Sequence, residues 1–435
     1  MGPLQLRPFA VLPGALAPLG YRNFLLYWVG FAATNAGRWT ELTGAVWLVY
    51  ELTSSPVLLG LLGIARAVPT ITLSPIAGVI ADRVDQRRLL FFTQLLSLLA
   101  SLLLGLLVVL SAVELWHVYL QVAFQAAVNA FDASVRQALF PRLVPRARLS
   151  DAVTLSVTAG RSAAFVGPAL GGLAIAGLGE AAPFLLNAAT FLILMGAVVA
   201  MRGVVPRTAT AGSTVRRELA EGMRHLLETP ILAGLLKLEI VISLFQMNAV
   251  MITIVAREIL LVGPEGLGLL LAAPALGSVV GVIGILITGQ ARRQGRLVVV
   301  CTLAYAAALS LFAATGDFIL SFAVLTLIGL LDSVLTVTRH SVLQLAAPGR
   351  MRGRVMANMR TVTAGVGPFA QTQSGLLASV VGPPLGVAVA AGAIAVAAMG
   401  TALTNHRLMA FTQMPVAERA GVGSTPVDPG DHRSA

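Results

Sequence analysis

The sequence predicts an all-α membrane protein of twelve transmembrane helices, arranged as two pseudo-symmetric six-helix halves. Three observations carry that expectation. Hydrophobic residues fill 57% of the 435 positions and charged residues only 11%, with a mean hydropathy of +0.86, whereas a soluble domain carries about 25% charged residues. Apolar runs of about 20 residues, each long enough to cross a hydrocarbon core of roughly 30 Å, recur along the chain. The longest internal polar segment, residues 202–230, divides those runs six and six.

In chain order the first half is expected to span at 24–50, 57–80, 89–112, 117–140, 152–177 and 182–201. The second half follows at 231–255, 266–289, 297–315, 318–338, 355–380 and 384–405. Gly and Pro are frequent inside these runs, as membrane helices tolerate. The first 20 residues hold Arg7, Pro13 and Pro18 but no signal-peptide core with a cleavage site, so the first span is the expected insertion signal. The domain organisation expected is a tail (1–23), a six-helix bundle (24–203), a linker (204–230), a second bundle (231–405) and a tail (406–435).

Basic residues orient the spans. Most of the 30 Lys and Arg fall at the termini, in alternate loops or at span ends facing them, while Arg257 is the one placed in a loop on the opposite side. That bias marks the basic side as cytoplasmic, with both termini inside the cell membrane. An even number of spans follows.

The net charge of +11 is therefore topological. The charges are dispersed over short loops and do not form a nucleic-acid-binding patch. One cysteine, Cys301, excludes an internal disulfide or a thiolate cluster, and five scattered histidines have no metal-ligand spacing. No metal and no cofactor is expected. The absence of H-E-x-x-H and of clustered acids argues against a membrane-embedded enzyme. The absence of G-x-x-x-x-G-K-[ST] argues against a nucleotide-driven pump.

The linker begins as a Thr/Ala/Gly tether. Val215, Leu219, Met223 and Leu226 then recur at helical spacing opposite Arg216, Arg217, Glu221 and Arg224. A short amphipathic helix on the cytoplasmic membrane face is expected there. The halves it joins are weakly self-similar: Arg136 precedes Gly167-Pro168 as Arg339 precedes Gly367-Pro368, and VTAG occurs at 157–160 and 362–365. A duplicated six-helix unit suits two bundles rocking about a central site better than a channel pore.

Between the second and third spans, "GVIADRVDQRRLL" (78–90) sets dense charge between apolar runs. Its Gly78-x-x-x-Asp82-Arg83-x-x-x-Arg87-Arg88 resembles the signature loop of the major facilitator superfamily, with Asp85 and Gln86 where that family usually has Gly and a basic residue. "WLVYELTSSP" (47–56), "RQALFPRLVPRARLSDAV" (136–153) and "VGPALGGL" (166–173) are similar to the branch of the enterobactin exporter and drug:proton antiporters. Gly78 permits close helix approach. Asp82 can accept from the free N–H groups of a helix N-terminus, and the resemblance implies that this helix is the eleventh. Arg83, Arg87, Arg88 and Arg136 complete the expected cytoplasmic gate. Arg87 and Arg88 also suit a second reading, as positive-inside anchors.

Charges also lie deep in the spans. Arg38 is roughly 21 Å from the cytoplasmic end of the first span. A mid-bilayer charge costs at least about 2.5 kcal/mol, so it must face protein or water. Asn35, Arg38 and Glu41 share one helix face at i, i+3, i+6. Two readings stand: Arg38 and Glu41 form a structural ion pair, or both line a cavity. Arg66, Asp132 and Arg161 are also deep, whereas Lys237 and Arg360 can snorkel. Glu41 and Asp132 are the candidate proton carriers, and Asp332 is a possible counterpart of Asp132 in the second half.

The fifth span contains Gly167-Pro168-x-x-Gly171-Gly172, which resembles the fifth-helix signature of the superfamily's antiporters, with Ala163 at an upstream glycine position. Pro168 removes a backbone donor, and the glycines permit close packing. The resemblance implies export of a small amphipathic molecule (drug, siderophore or secondary metabolite) against protons, by a monomer working in the lipid bilayer. A proton-coupled uptake permease of the same fold is the alternative.

Overall fold

The computed structural model describes residues 14–201, 215–289, 291–349 and 351–412. The expected tails up to residue 13 and beyond 412, and the Thr/Ala/Gly tether, lie outside the described residues, as does the side chain of Asp82. The first half consists of α1 (Arg22–Thr53), α2 (Pro56–Arg83), α3 (Gln86–Val109), α4 (Leu115–Leu139), α5 (Leu149–Leu178) and α6 (Ala182–Ala200). After α7 (Val215–Glu228) come α8 (Pro230–Phe245), α9 (Ala249–Glu258), α10 (Pro264–Thr288), α11 (Gln294–Ala314), α12 (Phe318–Ala346), α13 (Arg352–Val381) and α14 (Pro383–Thr404). A short α15 (His406–Met409) is the last described helix.

Local sequence explains where these helices begin. Pro stands in the first turn of α2, α6, α8, α10 and α14, where its missing N–H costs nothing and its fixed φ is already helical. Ser55, Asp85 and Asp317 cap α2, α3 and α12 by accepting from backbone N–H groups. Nine candidate spans are long and apolar enough to cross a membrane among the described residues. The helices α1, α4 and α13 are comparable in length, at 32, 25 and 30 residues, but their polar content keeps them outside that set.

The seventh span differs from the single helix expected. It is split into α8 and α9, with Gln246, Met247 and Asn248 outside helix. The freed backbone groups find partners, as hydrocarbon requires. Asn248 caps α9 through its side-chain oxygen and donates to Ser374 Oγ at 2.8 Å, while the Met247 N–H donates to the Tyr305 hydroxyl at 3.1 Å.

Within the first half α1 packs on α5 and α6, and α4 on α2 and α3; in the second α10 and α11 pack on α12, and α13 on α8 and α14. Two seams join the halves, α2 with α13 and α5 with α10. Both are built on glycine. A Cβ on Gly375 would lie 2.8 Å from Gly60 Cα, and one on Gly172 would lie 2.9 Å from Gly268 Cα, so a side chain at either place would push the halves apart. All four glycines lie toward the end of the molecule where α1 finishes and α2 begins, called here the far end. At the opposite, basic end a Cβ on Gly78, Gly160 or Gly365, on α2, α5 and α13, would meet no atom within 4 Å.

The amphipathic helix α7 does not lie free on a membrane surface. It packs on α8 and α13, with Leu226 fully buried and Glu221 paired to Arg354 at 2.7 Å. Leu226 is its described apolar anchor at the basic end of the second half.

Candidate transport site in the first half

Asp132 of α4 is fully buried, accepts two hydrogen bonds and pairs with a second guanidinium. Arg38 of α1 reaches its Oδ2 at 2.7 Å, Arg136 one turn along α4 approaches the same oxygen at 2.7 Å, and Gln94 of α3 donates to Oδ1 at 2.9 Å. Arg38 also donates to Asn129 Oδ1 at 2.7 Å, and the Arg136 guanidinium lies 5.0 Å from the Phe31 ring centre. The first reading of Arg38, a pair with Glu41, is therefore replaced by an ion pair between helices. A buried Arg136 and a half-buried Arg38 are tolerable because Asp132 stands between them.

Glu41 sits one turn along α1 in a different company. Its carboxylate accepts from Gln121 Nε2 at 2.7 Å, from Ser101 Oγ at 3.2 Å and from Asn187 Nδ2. These donors come from α4, α3 and α6, and all are neutral. Among the described residues no cation is in contact with this buried carboxylate. A hydroxyl donates as readily as it accepts, so Ser101 can serve Glu41 with or without a proton.

Glu41 also lines a cavity of about 720 Å³, counting its solvent-open part, with Arg38, Arg66, Gln125, Asn129 and, from the second half, Gln371 of α13. Apolar walls are supplied by residues such as Leu62, Leu104 and Phe184. Arg66 of α2 is exposed in this cleft, where Glu41 is the acid whose charge reaches it. A cation, a carboxylate, amides and apolar walls together suit an amphipathic ligand with polar groups.

The other expected residues fall in several places. Asn35 turns back on α1, donating to Phe31 O at 2.8 Å, and is not among the cavity-lining residues. Arg161 reaches across the seam to Ser278 of α10. Arg87 donates to the carbonyls of Val198 and Val199 at 2.7 Å each, closing the C-terminus of α6. Arg83 and Arg88 are exposed, and Asp85 caps α3. Arg136, expected at the gate, lies inside the first half with Asp132. Gly167 and Gly171 press α5 against α1, where a Cβ would come 2.5 Å from Trp39 Cβ and 2.9 Å from Thr43 Cβ. Thr40 donates to Gly167 O at 2.9 Å. Gly172, one residue on, faces α10, and the Pro168 carbonyl abuts Gly268. The motif thus packs α5 on two sides at once.

Sequence reasoning missed several groups. Gln121, Gln125 and Asn129 precede Asp132 at helical spacing on α4, a stripe that was visible in the sequence. In the second half Glu239 of α8 pairs with Arg339 of α12, beside a cleft of about 1000 Å³, counting its solvent-open part, also lined by Asp332, His340 and Arg360. At the far end Arg257 of α9 pairs with Glu51 of α1 at 2.7 Å and lies 4.3 Å from the Trp47 ring centre, while the Tyr50 hydroxyl donates to Glu258 at 2.8 Å. That cluster ties the halves together.

Paired six-helix halves, two glycine seams and a charged cleft between apolar helices are the architecture of a membrane transporter. The sequence profile of the transmembrane secretion effector family matches residues 13–427, and the chain belongs to that family of the major facilitator superfamily. It is 26% identical to the multidrug efflux pump Tap of Mycolicibacterium fortuitum, over 81% of this chain and 88% of that protein. It is 25% identical to the enterobactin exporter EntS of Shigella boydii, over 73% of this chain and 72% of that one. With the uncharacterized MFS-type transporter YfiS of Bacillus subtilis it shares 27% identity over 56% of this chain, spanning only 59% of that relative's length. Among solved structures the fold is similar to an inward-facing, unoccupied bacterial homolog of the human lysosomal transporter Spinster, with a TM-score of 0.66 at 13% identity, covering 89% of this chain and 96% of that one. It is similar also to the nucleoside transporter NupG, with a TM-score of 0.64 at 11% identity, covering 90% of this chain and 99% of that one. These two likenesses are of fold alone.

Proposed function

We propose that this chain is a secondary exporter that expels a small amphipathic molecule in exchange for protons, by alternating access. The observation that carries the reading is Glu41: a buried carboxylate beside the cleft, held by neutral donors, with Arg38 of its own helix engaged by Asp132. A carboxylate in that setting can gain and lose a proton without breaking an ion pair, since Arg38 is held by Asp132 and Arg66 is open to the cleft. Asp132, between two guanidiniums, is the structural anion of the pair. The family relatives that are efflux pumps support the outward direction; the uptake permease differs from it in the sign of driven flux.

In this reading the basic end is cytoplasmic, both termini lie inside the cell membrane, and the conformation is open inward. The far-end glycine seams and the Arg257–Glu51 cluster close the outer face. The loop with Gly78, Asp82, Arg83 and Arg88 is the latch that engages when the basic end shuts, supported by the open space now beside Gly78. Each monomer holds a complete site, served by lipid, protons and substrate.

The test compares proton-driven efflux with substrate counterflow in Glu41→Gln and Asp132→Asn, each normalised to protein in the membrane. Glu41→Gln is expected to lose driven efflux and keep counterflow. Normal driven efflux in that variant, or wild-type efflux undiminished after the proton gradient is collapsed, would remove the reading.

A further inference from the structure

The second half repeats the charge plan of the first with the signs exchanged. Arg38 of α1 pairs with Asp132 of α4; in the corresponding spans Glu239 of α8 pairs with Arg339 of α12. Glu239 and Arg339 are both buried. Glu239 also accepts from Ser243 and Thr363 at 3.4 Å each, and Arg339 donates to Thr336 Oγ1 at 3.3 Å. This pair is complete without a third charge.

Asp332 is the acid left over. It stands midway along α12, roughly 21 Å from either end, half-buried and lining the same cleft as the pair. No described residue donates a hydrogen bond to it, and the cation whose charge reaches it is Arg161 of α5, in the other half. Arg161 is itself engaged elsewhere, donating to Ser278 Oγ of α10. A carboxylate so deep in a span is costly unless water or a ligand meets it. The cleft offers both, with Ile242, Leu343 and Met359 as its apolar walls. His340 and Arg360 stand nearer the basic end, each within roughly 12 Å of it. Water screens an exposed charge such as Arg360, whereas Asp332 acts from deeper between low-dielectric walls.

We propose that Asp332 binds the positive charge of the substrate, an organic cation with apolar substituents. The proposal rests on the exporter reading and names the charge of the molecule expelled. Asp332 supplies the countercharge, and Ile242, Leu343 and Met359 receive the apolar body. Arg161 opposes the ligand, since its own positive charge reaches the same carboxylate. While Ser278 holds that guanidinium, the carboxylate is open to the cleft.

The test is equilibrium binding to the purified full chain in detergent, using tetraphenylphosphonium and tetraphenylborate, two ions of one shape and opposite charge. Wild type should bind the phosphonium more tightly. Asp332→Asn should weaken phosphonium binding about tenfold without weakening the borate, and Asp332→Glu should restore it. Arg161→Gln should tighten phosphonium binding several-fold, an effect that a merely structural Asp332 would not produce. Wild-type phosphonium binding in Asp332→Asn overturns the proposal. Equal loss of both ions there also overturns it, because that marks damage to the cleft. A wild-type preference for the borate does so too, marking an anion site at Arg66 or Arg360.

Driven flux separates this inference from the reading beneath it. Normal proton-driven efflux in Glu41→Gln removes the coupling and leaves the binding result at Asp332 standing. Lost driven efflux in Glu41→Gln, with phosphonium binding unchanged in Asp332→Asn, keeps the exporter and removes the cation site alone.

Discussion

Arg38 and Asp132 form a 2.7 Å ion pair between α1 and α4, leaving Glu41, one turn from Arg38 on the same helix, to neutral partners. This division of labour makes the two buried acids unequal. Asp132→Asn strands Arg38 and Arg136 without a countercharge and should cost about 3–5 kcal/mol of stability. Glu41→Gln keeps the volume and most of the hydrogen bonding and should cost no more than about 1.5 kcal/mol. Thermal unfolding of the two purified variants in detergent measures the difference; equal losses would contradict the assignment.

The Arg257–Glu51 pair joins the halves at the far end and is partly exposed, so its net contribution is small. An exposed pair supplies about 0.2–1 kcal/mol, and a cation over an aromatic ring about 0.5–1 kcal/mol more. Arg257→Gln should therefore shift the population several-fold toward an outward-open state without unfolding the protein. Labelling of a cysteine introduced in the outer cleft should rise by that factor, and no change in labelling would show that the cluster does not gate.

Gly172 and Gly268 meet backbone to backbone across the α5–α10 seam. Gly172→Ala forces the helices apart where a Cβ would lie 2.9 Å from Gly268 Cα, with a cost of about 1–3 kcal/mol for such overpacking. That cost falls on the far-end-closed state, so transport should fall sharply while membrane insertion persists. Gly160→Ala, where the added Cβ meets open space, is the matched control for inserting a methyl group into α5.

Asp82→Asn tests the latch. A carboxylate at a helix N-terminus contributes about 0.3–1 kcal/mol, and the amide removes most of it from the state in which the basic end is shut. Expression should be normal, with the balance moved toward inward-open. Cysteine accessibility from the two sides of the membrane reads that balance, and an unchanged ratio would sink the latch.

Much of this was legible before any fold was known, because the cost of moving a side chain from water to hydrocarbon is nearly independent of its neighbours. That local property located the spans, the basic side and the deep charges at Arg38, Glu41, Arg66 and Asp132. The signature residues from Gly78 to Arg88 and from Gly167 to Gly172 pointed to the superfamily for the same reason, as each is a short contiguous pattern. Partnership is not local. Helical spacing offered Arg38 a neighbour on its own helix, Glu41, and said nothing of Asp132, 94 positions away in the chain. Only the packing of α1 against α4 brought that carboxylate within reach. The neutral shell of Glu41 comes from three other helices, the break at Gln246–Asn248 depends on what Ser374 and Tyr305 offer, and α7 lies where α8 and α13 leave an apolar surface to cover. A single helix determines which residues share a face. Which faces meet, and so which charge neutralises which, is decided by the bundle as a whole.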